Sequence, residues 1–236
     1  MDSDISISVI NSYKDVSFIE VEEAFRQDQI DAEVVFRQKE GPFAFLEWLI
    51  PAGAMLIYSS KFLGKLGEIH AERLNTLLAD GFRKLWSKAF GTKAEIDYRI
   101  IDYQGRVKGE PFSAAIKSSA HLRDGREILM LYRTDISEED FVRANSAFLT
   151  AIRAHLAVED GDPLSVALAQ IPPDRVPPPY TAAVYFNATT GNLEAVDYVG
   201  SSMEGRLVSH PLPTAKKKPA KKTRAGKKNT KQNRKR

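Results

Sequence analysis

The 236-residue chain contains no cysteine, and this absence excludes several kinds of chemistry. Without cysteine there is no disulfide, no thiol nucleophile and no Cys-ligated zinc or iron–sulfur cluster. Residues 1–12 also lack the basic region and the long apolar run of a secretory signal peptide. Together these features predict a cytoplasmic protein.

Histidine is scarce as well, and its spacing does not match a metal site. The four residues are His70, His121, His155 and His210, and no two lie at i, i+4 spacing on an expected helix. The chain also lacks a His-Glu-x-x-His motif, a Gly-x-Ser-x-Gly nucleophile elbow and the glycine-rich loops that bind phosphates. We therefore expect structural histidines, no bound metal and no cofactor.

Carboxylates are plentiful but do not form a recognisable catalytic pattern. Nuclease and glycosidase chemistry needs two or three carboxylates that converge in one pocket. The clusters are Glu20, Glu22 and Glu23; Asp97 and Asp102; and Glu138, Glu139 and Asp140. The first of these clusters is typical of a solvated helix face, and the last is typical of a helix N-terminus. The sequence therefore identifies no catalytic residue, and a hydrolase is the weakest alternative.

One apolar segment is long enough to raise the question of a membrane. Residues 43–58 contain a single charged residue, Glu47, and are interrupted by Pro51. As a helix, 16 residues would span about 24 Å, against about 30 Å of hydrocarbon in a bilayer. We expect two short helices or a helix and a turn inside a globular core, with membrane association as the alternative.

The pattern of the remaining residues predicts an α+β domain over residues 1–200. Strands are expected where apolar residues alternate, and helices where they recur every three or four positions. Single strands are expected at 5–9 and 32–36, and helices at 14–27, 61–90 and 137–157. An antiparallel three-stranded meander is expected over 94–133 and a hairpin over 181–199, after a proline-rich connector at 171–179.

The end of the chain is its most distinctive feature. Residues 201–236 are predicted to be a disordered linker and tail, because the composition of the tail cannot bury enough apolar surface to offset chain entropy. The last 21 residues contain 12 basic side chains and no acidic one, which leaves about −9 on residues 1–215. The 12 basic residues of the tail are Lys216, Lys217, Lys218, Lys221, Lys222, Arg224, Lys227, Lys228, Lys231, Arg234, Lys235 and Arg236.

This tail predicts binding to phosphate-rich partners without sequence recognition. Cations on a flexible chain release counterions from nucleic acid, but the tail has no aromatic side chain to stack on bases. In composition it resembles the lysine-rich tails of linker histones and of some bacterial nucleoid proteins. We therefore expect a non-enzymatic binding protein with sequence-independent affinity for nucleic acid.

The sequence is also compatible with two other partners for the tail. The first is an anionic membrane surface, which attracts basic side chains in the same way and would also use segment 43–58. The second is the acidic body of the protein itself, for instance the face formed by Glu20, Glu22 and Glu23. A further protein partner is compatible with either.

Overall fold

A computed structural model describes residues 3–38, 52–66, 76–98, 111–158, 161–175 and 182–213. The strands are β1 Ile5–Ile10, β2 Ala32–Arg37, β3 Ala54–Tyr58, β4 Phe112–His121, β5 Glu127–Arg133, β6 Ala182–Asn187, β7 Asn192–Val196 and β8 Ser209–Pro211. The helices are α1 Ile19–Gln27, α2 Ser60–Lys65, α3 Ala79–Ala89, α4 Glu138–Ala157, α5 Pro163–Leu168 and α6 Tyr198–Glu204.

The eight strands form one mixed sheet in the order β2-β1-β3-β4-β5-β6-β7-β8. The pairs β1–β2, β3–β4 and β5–β6 are parallel, and the other neighbours are antiparallel. The α+β class and the single domain are confirmed, as are the antiparallel hairpins β4–β5 and β6–β7. Of the first strand expected in the meander, residues 94–98 are not in a strand and residues 99–103 lie outside the described part; the strand beside β4 on that side is β3.

The main core lies between one face of the sheet and the helices α1 to α5. Residues of strands β1 to β7 point into it, such as Ile5, Ile7 and Val9 of β1, because side chains of a strand alternate between faces. A smaller apolar cluster on the opposite face includes Leu131 and Tyr198. The apolar residues that alternate in the sequence of β1 are therefore those that face the helices.

The described part of the apolar segment belongs to the interior of the sheet. Residues 54–58 form β3, in which Ala54, Leu56 and Tyr58 are buried against the helices. The helical interpretation of these residues is wrong, because their burial alternates as in a strand that pairs on both edges, with β1 and β4. Residues 43–51 lie outside the described part. Among the described helices, none is both long and apolar enough to cross a bilayer.

Of the expected helix over 61–90, the described part contains α2, α3 and a helical stretch at residues 76–77. Ser59 caps α2 by accepting a hydrogen bond from the amide of Phe62, and α3 begins after Leu78. Residues 67–75 between them lie outside the described part. By contrast, α4 follows the prediction closely, since the Ser137 side chain accepts from the amide of Asp140 at its first turn.

Helix α6 and strand β8 correct the expected end of the domain at residue 200. Asp197 caps α6 by accepting from the amide of Gly200, and Gly205 ends the helix at a φ of 63°. Strand β8 then pairs with β7 as the last strand of the sheet. The folded domain therefore continues to residue 213, and the basic tail lies outside the described residues.

Candidate functional site

A cavity of about 410 Å³ opens where the parallel strands β5 and β6 end. We call it the β5–β6 cavity. Its lining comes from the end of β5, the segment after β5, the first turn of α4, the end of β6 and the turn after β6. It consists of Arg133, Asp135, Ile136, Asp140, Tyr185, Phe186, Asn187, Ala188 and Thr189. The carboxyl edge of parallel strands is where open α/β sheets bind ligands, because the chain leaves the sheet there and makes room.

Charged side chains line the mouth of the cavity. Arg133 donates from Nε to Oδ1 of Asp135 at 2.9 Å, and this hydrogen bond holds the pKa of Asp135 below its usual value. Asp140 accepts from the Ser137 hydroxyl at 2.9 Å and from Arg143 at 3.1 Å. The mouth therefore combines carboxylates with guanidinium groups at its rim.

A buried carboxylate, that of Glu194 on β7, lies behind two lining residues. It accepts hydrogen bonds from the Tyr185 hydroxyl at 2.9 Å and from Asn187 Nδ2 at 2.7 Å, and a third from Ser209 of β8 at 2.5 Å. Burial alone would raise the pKa of Glu194, but the donated hydrogen bonds outweigh it and lower that pKa. Glu194 is therefore ionised at neutral pH.

The charges of this region favour a cation. Asp135, Asp140 and Glu194 contribute three negative charges, and Arg133 and Arg143, which pair with Asp135 and Asp140, contribute two positive charges, so the region carries a net charge of about −1. Phe186 and Ile136 add apolar surface beside them. A side chain with an apolar stem and a cationic head, such as lysine, matches this combination.

The sequence did not reveal this site, because its residues are distant in the chain. From the sequence, Asp140 was predicted only to be part of a helix N-terminus, and it does lie in the first turn of α4. Tyr185, Asn187 and Glu194 meet only because β6 and β7 pair in a register that aligns Tyr185 with Glu194. No spacing rule in the sequence specifies that convergence.

A second polar cluster joins α4 to α5 and contains the residue types of a catalytic triad. His155 Nδ1 lies 3.1 Å from Asp162 and 3.2 Å from Ser165, and all three are near the helix junction. The Ser165 hydroxyl donates to Asp162 Oδ2 at 2.6 Å, and His155 Nε2 accepts from the backbone amide of Arg123. Both ring nitrogens are thus occupied, so His155 cannot act as a base toward Ser165.

A third cluster lies inside the main core, beneath α4. Asn145 Oδ1 accepts hydrogen bonds from the hydroxyls of Tyr58 at 2.9 Å, Tyr132 at 2.7 Å and Ser118 at 3.1 Å. Its amide nitrogen donates to the carbonyl of Phe141. These groups are buried and mutually satisfied, which is typical of a network that positions a helix on a sheet.

Lys117 of β4 is buried on the other face of the sheet. It pairs with Met55 of β3 and Leu131 of β5 in the strand register. Burial lowers its pKa to about 7, and the charge of Arg37 adds to the effect. Lys117 does not line the β5–β6 cavity.

The residues predicted from sequence are dispersed. All 12 basic side chains of the tail, as well as His70 and Asp102, lie outside the described residues. Glu20 and Glu23 are exposed on α1, and Asp97 is exposed after α3. Over the described ranges, no group of three or more histidine and carboxylate side chains is placed to hold a metal ion.

No protein-family model matches the chain, and neither do the curated proteins or the solved structures.

Proposed function

We propose that the protein is a non-enzymatic binding protein whose tail, residues 216–236, supplies sequence-independent affinity for nucleic acid. The observation that carries this proposal is the division of charge along the chain. Twelve basic side chains and no acidic one occupy the tail, whereas residues 1–215 carry 22 basic and 31 acidic groups. Such a tail gains affinity by releasing counterions from a phosphate backbone.

The charge of the folded body supports binding of nucleic acid by the tail rather than by the body. Residues 3–38, which include α1 and β2, carry eight acidic and three basic side chains. This part of the surface repels phosphate, so a bound nucleic acid would be held by the tail with α1 turned away from it. The absence of cysteine suits a reducing compartment, and we place the protein in the cytoplasm.

The polar clusters of the body support a binding role over an enzymatic one. The His155–Asp162–Ser165 and Asn145 clusters have hydrogen-bond geometries that stabilise the fold, as described above. Neither holds a nucleophile beside an available base. The residues around the β5–β6 cavity carry a net charge of about −1, which complements the basic tail better than it complements phosphate.

The decisive experiment measures binding to random-sequence duplex DNA at about 50 and 200 mM salt. The full chain should lose affinity about 10³-fold or more over this range if six or more phosphates are neutralised. A full-length variant with all 12 tail Lys and Arg replaced by Gln, and the chain 1–213, should both bind far more weakly at low salt. Unchanged affinity in these variants would refute the proposal.

Anionic lipid is the alternative partner for the same tail. The described part of the apolar segment is buried in β3, so a membrane contact by Leu56 or Tyr58 would require the core to open. Co-sedimentation with vesicles of phosphatidylserine and of phosphatidylcholine separates the two partners. Tighter binding to phosphatidylserine vesicles than to duplex at equal salt would favour the membrane.

A further inference from the structure

We propose that the β5–β6 cavity binds lysine side chains of the protein's own tail, at Lys216–Lys218, when no nucleic acid is present. The inference rests on the proposed function, since it makes the cavity a competitor of phosphate for the same cations. It assigns the cavity a ligand class, an alkylammonium group, and an occupant.

The charges of the cavity complement this occupant. The carboxylates of Asp135 and Asp140 lie at its mouth, where they pair with Arg133 and Arg143. The buried, ionised carboxylate of Glu194 adds a negative charge behind Tyr185. Because a lysine side chain is apolar along its stem, Ile136 can pack against it while the ammonium group faces the carboxylates; the Phe186 ring beside it already carries the Arg143 guanidinium, 5.3 Å from the ring centroid.

The direction of the last strand places the tail at this edge. Strand β7 is antiparallel to both β6 and β8, so β8 runs parallel to β6 and ends at the same edge. The register aligns Tyr185, Glu194 and Pro211 across the three strands. Two strand spacings, about 10 Å, separate β8 from β6, and three extended residues from Pro213 to Lys216 reach about 10 Å.

The other acidic surface considered, on α1, is much farther away. Strand β2, next to α1, is at the opposite end of the sheet from β8, at seven strand spacings or about 34 Å. A flexible segment of ten residues has a root-mean-square length of about 17 Å. The effective concentration of the first tail lysines is therefore higher at the cavity than at Glu20 and Glu23.

The test uses the full chain, whose lack of cysteine allows a single label. A nitroxide on Thr223→Cys should enhance the relaxation of the Asp135 and Asn187 amides about twofold more at about 20 mM salt than at about 500 mM. The high-salt measurement reports the proximity that tethering alone produces. Equal enhancement at both salt concentrations, or enhancement centred on residues 19–27, would overturn the proposal.

A matched pair of charge reversals tests the role of the cavity. Asp124 and Asp135 both accept from an arginine two residues away, Arg126 and Arg133, but they lie beside opposite ends of β5. Asp135→Lys should abolish the salt-dependent enhancement, and Asp124→Lys should preserve it. Equal responses of the two variants would show that the cavity is not the binding site.

Random-sequence duplex separates this proposal from the proposed function. Added at low salt, duplex should reduce the enhancement to its high-salt value, because phosphate competes for the lysines. If the enhancement depends on Asp135 but duplex does not displace it, the cavity binds the tail and the nucleic-acid proposal fails. If duplex binds the tail but Asp135→Lys has no effect, the cavity proposal fails alone.

Discussion

Nδ1 of His155 lies 3.1 Å from Oδ2 of Asp162, in a buried contact that joins the end of α4 to the start of α5. The same carboxylate accepts from the amides of Leu164 and Ser165 through Oδ1, so it caps α5 as well. Three residue types that could form a hydrolase site therefore serve a helix junction.

This contact predicts a specific pH dependence of stability for Asp162→Asn. Burial opposes ionisation, but hydrogen bonds from Ser165 and His155 outweigh it and lower the pKa of Asp162. The stabilisation is therefore present above the unfolded pKa of about 3.9 and is lost as pH falls through the lower folded value. Asp162→Asn should cost about 2 kcal/mol at pH 7 and less at pH 2, measured by urea unfolding.

The control for this prediction is Asp174→Asn, which makes the same change on an exposed turn. Its effect should stay within about 0.5 kcal/mol at both pH values. A cost of Asp162→Asn that is the same at pH 2 and pH 7 would contradict the assignment.

The Asn145 network predicts a large difference between two neighbouring positions of α4. Asn145→Ala leaves the buried hydroxyls of Tyr58, Ser118 and Tyr132 without their shared acceptor and should cost about 3 kcal/mol. The Ser146 hydroxyl is also buried, but it has no hydrogen-bond partner among the described residues. Ser146→Ala should change the free energy of unfolding by less than about 0.5 kcal/mol, and a similar cost for both variants would argue against the network.

Two helical glycines are predicted to respond to alanine in opposite ways. A Cβ at Gly81 of α3 would fall well inside van der Waals contact with the buried ring of Phe25 on α1. Gly81→Ala should therefore cost about 2 kcal/mol through overpacking. A Cβ at Gly64 of α2 meets open space, so Gly64→Ala should stabilise by up to about 1 kcal/mol. Thermal unfolding of both variants checks the pair, and a loss of stability in each would contradict it.

The tail predicts equal contributions from its two halves to duplex binding. Residues 216–224 and 227–236 contain six basic side chains each. Because counterion release depends on the number of phosphates neutralised, Gln replacement of either set should reduce the salt slope of log affinity by about half. Fluorescence anisotropy over 50–200 mM salt measures the slopes. A loss confined to one half would indicate a local recognition element instead.

Much of the secondary structure follows from local signals in the sequence. Alternation of Ile5, Ile7 and Val9 predicted β1, and Ser137 before three acidic residues predicted the start of α4. Asp124-Gly125 predicted the turn between β4 and β5, where Gly125 has a φ of 82°. Each signal acts over a few residues, which is why it is readable without the rest of the chain.

The candidate site could not be predicted in the same way. Its carboxylates come from the segment after β5, from α4 and from β7, and they converge through the order of strands in the sheet. The parallel pairs β3–β4 and β5–β6 were not expected, because pairing between distant strands leaves no mark on the pattern of either. Residues 54–58 of β3 were expected to be helical or in a turn, because their sequence is apolar throughout and carries no sign of the two strands beside it.

The sequence by itself determined the division between an acidic body and a basic tail, the absence of thiol chemistry, and the local periodicities that specify strands and helices. The tertiary structure decided which strands are neighbours, that His155, Asp162 and Ser165 join α4 to α5, and that β8 ends at the edge where the β5–β6 cavity opens. The physical reason is the distance along the chain over which each kind of interaction acts. Composition and periodicity are properties of neighbouring residues, whereas convergence depends on non-local packing and strand register.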